Sequence, residues 1–284
     1  MSDREPDGPV HPAGSGGGPG GVPQGGPPPG PGHPGPVWAS QAPPFDAAAS
    51  SGGGSWAGGQ PPPYMPVPPP AERIRLAVQE RGNTDYIFHF WTALGWTVLT
   101  FGFYGYYVFY QLVRRMRDHN ARRVELLDAA VVLGWEEAGR RGLQGELTPS
   151  FLRASSHLAV LRKMTGDFRE PVIWLVLSFV AGGIVQIIAF ILLDQDLVKH
   201  DRAEVGVEYE LALIYGRFGL ELAWPDANRV KGQHNYAGRI VATFFSFGVY
   251  WLWWYYDMMQ EPNRHFRTNW VQEDALVSTV QAVQ

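Results

Sequence analysis

The 284-residue chain has no cysteine. That absence excludes a disulfide framework, an iron–sulfur cluster, a thiol nucleophile and any cysteine-rich zinc site. Lysine is nearly missing as well, with 3 Lys against 20 Arg among the 23 basic side chains. Against 27 acidic residues the formal charge is −4, a balance that gives no support to nucleic-acid binding. Met1–Asp7 is acidic and no apolar region of about 7–15 residues follows, so no secretory signal is expected.

Catalytic patterns are missing too. There is no P-loop, no dinucleotide fingerprint, no H-E-x-x-H and no repeated histidine pair at metal-ligand spacing. Ser178 has neither a glycine elbow nor a histidine partner in its run. Asp118-His-Asn-Ala-Arg122 approaches the D-G-x-x-A-R start of lipid-head-group transferases. It lacks the glycine, is one residue short, and no spaced aspartate pair follows. The expectation is a chain with no catalytic residue, no bound metal and no cofactor, and so not an enzyme.

What is present is unevenly spread. Residues 1–70 hold 20 of the 24 prolines and 17 of the 34 glycines, a composition that cannot close a core. A disordered Pro/Gly-rich tail is expected over 1–72, with Pro61-Pro-Pro-Tyr64 resembling a ligand for proline-reading modules. Beyond the tail stand three runs without a charged side chain, Tyr86–Val113, Pro171–Leu193 and Ile240–Tyr256. About 20 apolar residues cross a hydrocarbon core of roughly 30 Å. The runs therefore predict an all-α membrane protein with about three transmembrane helices (86–113, 171–193 and 237–256) and membrane-proximal helices. Trp91, Trp96, Trp251, Trp253 and Trp254 suit rings at the headgroup level. Thr100-Phe-Gly-Phe-Tyr-Gly105 also admits a second reading of the first run, as two half-helices meeting within the bilayer.

Charge sets the expected orientation. The loop 114–170 carries 11 basic and 8 acidic residues, with Arg114, Arg115, Arg117, Arg122 and Arg123 at its start. Basic loops resist translocation, which puts 114–170 in the cytoplasm of a multi-pass inner-membrane protein. The same arginines are candidates for anionic lipid, or a topological determinant with a solvated face. Three crossings would place the tail outside, and a re-entrant first run would keep it inside. After the second run, Leu193, Leu197, His200, Glu204, Val207, Leu211, Ile214 and Phe218 follow a four-three spacing. This amphipathic stripe over 194–222 folds back on its own protein or pairs with a partner helix. Domains are expected at 85–205 (membrane domain), 194–235 (amphipathic helix and loop) and 236–284 (third run and carboxyl end), with Pro262 closing the third helix.

The first and third runs repeat at an offset of 146 residues. Thr100, Phe101, Gly102 and Tyr104 align with Ser246, Phe247, Gly248 and Tyr250, and His119 aligns with His265. A glycine beside a hydroxyl allows close helix contact and a locally satisfied backbone. Thr100-Phe-Gly-Phe-Tyr-Gly-Tyr-Tyr-Val-Phe-Tyr110, which includes Gly105, resembles the T-L-G-I-Y-G-x-Y-W-x-Y signature of the bacterial domain-of-unknown-function family 4234. Phe101 and Phe103 replace its usual aliphatics, and Val108 stands near its usual tryptophan. The resemblance covers roughly 85–205. It implies a multi-pass bacterial inner-membrane protein and supplies no activity, while the Arg-for-Lys bias fits a GC-rich actinobacterial genome.

The reading of function is a non-enzymatic scaffold that recruits partners through its tail or the 194–222 helix, against lipid and with homo-oligomers allowed. The alternative is a small oligomeric transporter or channel subunit, with the repeat framing a path. The near absence of charge within the runs counts against it.

Overall fold

The computed structural model describes residues 67–226, 229 and 232–283. The tail over 1–66, with Pro61–Tyr64, lies outside them. The described residues form helices and connections, with no strand among them. In chain order the helices are α1 (Pro70–Gln79), α2 (Arg81–Thr84), α3 (Phe90–Leu99), α4 (Phe103–Arg140), α5 (Gln144–Gly166), α6 (Pro171–Ala181), α7 (Gly183–Arg217), α8 (Tyr236–Phe245) and α9 (Val249–Val283). The tail expected to end at 72 is thus already helical from Pro70.

Each apolar run is broken near its middle and reverses. No helix among the described residues is long and apolar enough to cross a membrane. This corrects the expected spans at 86–113, 171–193 and 237–256. The membrane fold, the multi-pass inner-membrane location and the cytoplasmic assignment of 114–170 rested on those spans and are corrected with them. The physical reason lies in positive-φ residues at each turn, two in succession in the first and third runs and Gly182 alone in the second. Phe101 and Gly102 have φ of 52° and 93°, and Phe247 and Gly248 have φ of 51° and 89°. Two such residues in succession cannot continue a right-handed helix. Gly102 N–H then donates to Thr97 O at 2.7 Å, and Gly248 N–H to Thr243 O at 2.9 Å. The hydroxyl before each pair starts the next helix. Thr100 Oγ1 accepts from Tyr104 N, and Ser246 Oγ from Tyr250 N, both at 2.9 Å.

These contacts revise the role expected for the glycines. A Cβ at Gly102, Gly182, Gly183 or Gly248 would meet nothing within 4 Å, so they serve reversal rather than close helix approach. Gly105 does face Thr97 Cγ2, at 3.4 Å, inside the first hairpin. In the second run Gly182 takes φ of 64° and Gln186 Nε2 donates to Ser178 Oγ across the turn at 3.0 Å. In the third, reversal brings Arg239 to Asp257 at 2.8 Å, groups that an unbroken helix would hold at opposite ends.

The second arms of the hairpins continue as the long helices α4, α7 and α9, which run parallel and in register. Phe109 meets Phe190 with ring centroids 6.4 Å apart, His119 meets His200 at 5.6 Å, and Arg123 pairs with Glu204, all at an offset of 81. Phe190 meets Tyr255 at 6.0 Å, His200 meets His265 at 5.4 Å, and Glu204 accepts from Asn269, all at an offset of 65. The chain therefore contains three copies of one hairpin, with turns at Gly102, Gly183 and Gly248. The third copy escaped sequence comparison because Ala181-Gly-Gly183 replaces the hydroxyl–Phe–Gly of the others.

Side chains face the common axis in layers spaced three and four residues apart, the pattern of packed parallel helices. Phe109 and Phe190 lead, then Leu112, Leu193 and Met258, then Met116 and Leu197, all buried and joined by Trp254 and Phe266. The stripe expected over 194–222 is the inner face of α7 as far as Ile214 and packs on its own chain, but the helix ends at Arg217, with Phe218 as its cap. Pro262 lies within α9 instead of ending it. Proline frees the carbonyl four residues back, Met258 O. Arg115 Nη2 supplies the missing donor, at 2.9 Å to Met258 O and 3.1 Å to Met259 O. Arg115 also donates to Asn263 Oδ1 and lies over Phe88, which accounts for a buried guanidinium without a carboxylate partner.

Candidate metal centre

One layer below Met116, the three helices present the same residue type. His119, His200 and His265 each stand 17 residues beyond Gly102, Gly183 and Gly248, and all three are buried. With Glu204, one turn further along α7, they form a set whose ligand atoms lie within 4.8 Å of one another. His119 Nε2 is 3.0 Å from His265 Nε2. Glu204 Oε2 is 3.7 Å from both His200 Nε2 and His265 Nε2. Nitrogen and oxygen ligands about 2.0–2.1 Å from a tetrahedral zinc stand about 3.3 Å apart, so this set needs little movement to close on an ion.

The neighbours fix which ring nitrogens face inward. His119 Nδ1 is 2.9 Å from Asp85 Oδ1, and His265 Nδ1 is 2.7 Å from Asp201 Oδ1. A carboxylate on Nδ1 holds the proton there and leaves Nε2 as a lone pair, the arrangement that orients metal-bound histidine. Two Nε2 lone pairs 3.0 Å apart repel unless a proton or a cation lies between them. Neither nitrogen of the buried His200 ring has a hydrogen-bond partner among the described residues. A buried polar ring without partners carries a desolvation penalty that a bound cation removes.

Protonation follows the same geometry. Burial, followed by the neighbouring imidazoles, pushes His200 down to about 3. Burial likewise lowers His119 and outweighs Asp85 beside it. Burial works against His265 as well, but Asp201 and Glu204 override it and raise this ring. Two rings are thus neutral and ready to ligate. The third is drawn toward the protonated form by Asp201 and Glu204.

Asp85 is held from three sides, by His119, by Arg122 Nη2 at 2.6 Å and by Trp270 Nε1–H at 2.7 Å. Burial would raise its carboxyl, and these partners override it to keep it well below the usual range. Arg123, buried, donates to Glu204, to Glu208 at 2.7 Å and to Glu273 at 3.0 Å. Arg229 reaches Glu204 at 3.0 Å, and Asn269 Nδ2 reaches its two oxygens at 3.1 and 3.2 Å. Burial would also raise Glu204, but Arg123 and Arg229 drive it well below its usual value. Burial and the charge of Glu204 push Glu208 up to about 7. The network holds an excess of carboxylates that an inward cation would relieve.

The site is closed. The two small cavities nearby, about 30 and about 10 Å³, lie on either side of the histidine layer, beside Arg123 and Glu208 below and beside Arg115 and Asp194 above. A second acidic group, Asp194, His234 and Glu261, is a bridge in which the ring reaches Asp194 at 2.8 Å and Glu261 at 3.4 Å.

The signature residues Thr100, Phe101, Gly102, Tyr104, Gly105, Ser246, Phe247, Gly248 and Tyr250 lie at the hairpin turns, away from the histidines. Of the arginines considered for lipid, Arg115, Arg122 and Arg123 are buried in the network, and Arg114 and Arg117 pair with Asp118. Local spacing shows no metal-ligand pair here because these four side chains come from three helices distant in sequence. The 146-residue offset aligning His119 with His265 was the signal, and the 81-residue offset to His200 completes it. A scan of protein-family models and searches of curated proteins and of solved structures find no match to this chain.

Proposed function

We propose that this protein is a non-enzymatic helical scaffold stapled by one divalent transition metal, zinc fitting best. The carrying observation is three imidazoles at one position of three repeated hairpins: His119 with Nε2 turned inward by its Asp85 hydrogen bond, His265 with Asp201 2.7 Å from its Nδ1, and His200 without a hydrogen-bond partner. Three nitrogens and one carboxylate oxygen suit tetrahedral zinc, which has no redox chemistry and little geometric demand of its own. Four protein ligands and no cavity at the ion leave no position for water or substrate, which supports a structural rather than catalytic ion. The ion would tie α4, α7 and α9 together where the network would otherwise bury unmatched charge. Recruitment of partners is assigned to the Pro/Gly-rich sequence of residues 1–66.

Elemental analysis of the purified full chain tests the reading. One zinc per chain is expected, absent from the His119→Ala/His265→Ala double variant and retained in His234→Ala. Replacement by cobalt should give the intense visible absorption of tetrahedral Co(II). A wild-type chain that takes up neither metal at micromolar concentration rejects the proposal.

A further inference from the structure

The end of the molecule opposite the buried charges carries a separate observation. All three hairpin turns lie at the same level, because the long helices that follow them are parallel and in register. Each turn is apolar and uncovered: Phe101 is 95% exposed, Phe247 99% and Val180 79%. Phe101 and Phe247 hold left-handed backbone that a bulky residue rarely adopts and that asparagine or glycine would take readily. An exposed aromatic in a strained conformation gains nothing in water, so its environment has to be an apolar one.

Backbone polarity points the same way. Around each Phe-Gly turn, the amides of residues 101–104 and 247–250 are bonded within the hairpin, the last through the Thr100 or Ser246 hydroxyl. A turn with no free amide tolerates a medium without hydrogen-bond partners, which irregular backbone ordinarily does not. Depth agrees. The first charged residue after each turn is Arg114, Asp194 or Asp257. At 1.5 Å per residue these lie about 14–18 Å from the turns, close to half of a hydrocarbon core of about 30 Å. Exposed Trp91, at the end of α3 away from the turn, stands near the level of those charges, and rings of this kind favour the headgroup boundary.

We infer that the three hairpin turns dock together into one leaflet of a lipid bilayer, to half its depth and without crossing it. A lipid leaflet meets all four observations: a coplanar apolar end, two Phe-Gly turns with their amides bonded, a charge-free depth of one leaflet and Trp91 at its boundary. A second copy of this chain would account for the apolar end alone. The inference is independent of the metal reading, since the turns and the histidines lie in different layers.

The test floats the full chain with phosphatidylcholine vesicles through a density gradient. The wild type is expected to rise with the vesicles at low and raised salt, with its tryptophan fluorescence quenched by lipid brominated on the acyl chain. The Phe101→Asn/Phe247→Asn variant should lose at least about a hundredfold in partitioning while keeping its thermal unfolding midpoint. Because the chain has no cysteine, Ile184→Cys gives a single labelling position beside the second turn. Its fluorophore should be insensitive to iodide sealed inside the vesicle. A wild type that stays in the aqueous fraction overturns the inference. So does a discrete dimer in vesicle-free buffer that the same substitutions dissociate, or quenching by the sealed iodide, which would mean crossing.

Discussion

The two halves of the long helices obey opposite rules although they belong to the same three repeats. Near the turns the copies agree in direction and polarity: reversal at a positive-φ residue, Phe109 and Phe190 inward, no charge. Seventeen residues on they still agree, as three histidines. One turn further they diverge into Arg123, Glu204 and Asn269, and symmetry gives way to a network of opposite charges. A symmetric ring of ligands suits an ion on the axis. Three identical charges in the next layer would repel, so that layer had to become asymmetric for the bundle to close.

Four measurements sharpen or break this contrast. Arg123→Ala should have the largest effect, because it removes the one guanidinium shared by Glu204, Glu208 and Glu273 in the interior and leaves them to Arg229, Arg122 and Arg81. A loss of about 3–5 kcal/mol by urea unfolding is expected, and a loss below about 1 kcal/mol would mean the network is not carried by this guanidinium. Metal removal comes next. With free zinc at about 100 times its dissociation constant, binding adds about 2.7 kcal/mol, so a strong chelator should lower the thermal midpoint by about 5–10 °C. The His119→Ala/His265→Ala variant should be indifferent to the chelator. Asp85→Asn removes the carboxylate on His119 Nδ1, and zinc affinity should fall about 10–100-fold by competition with a chromophoric chelator. The smallest effect is expected at the turns. Phe101→Asn and Phe247→Asn should leave stability in vesicle-free buffer unchanged, or raise it by up to about 1 kcal/mol, because asparagine relieves the left-handed strain. A clear loss there would show that the turns are packed rather than exposed.

Helix content, the duplicated first and third segments and the inward stripe of α7 were legible in the sequence, each resting on a local period or a repeated string. Of the reversals, only a break at Thr100–Gly105 was readable, as one alternative for the first run. A hydropathy run of 28 residues reads as one helix unless the left-handed pair Phe101-Gly102 is recognised, and Phe101 gives no such cue by residue type; the 23-residue run turns on Gly182 alone. The run through Pro262 was illegible for a different reason. The donor that rescues Met258 O comes from Arg115, far away in sequence. The histidine layer lay between these cases. Its members were aligned by the repeat, but their convergence depends on three helices being parallel, which only the reversals establish.

Those reversals change how passages through any slab are counted. A segment that enters and returns contributes two or none, never one, so a plot scoring three spans has the wrong parity. Reporter fusions at residues 140, 220 and 284, all beyond one or more turns, would report a single compartment rather than alternating ones.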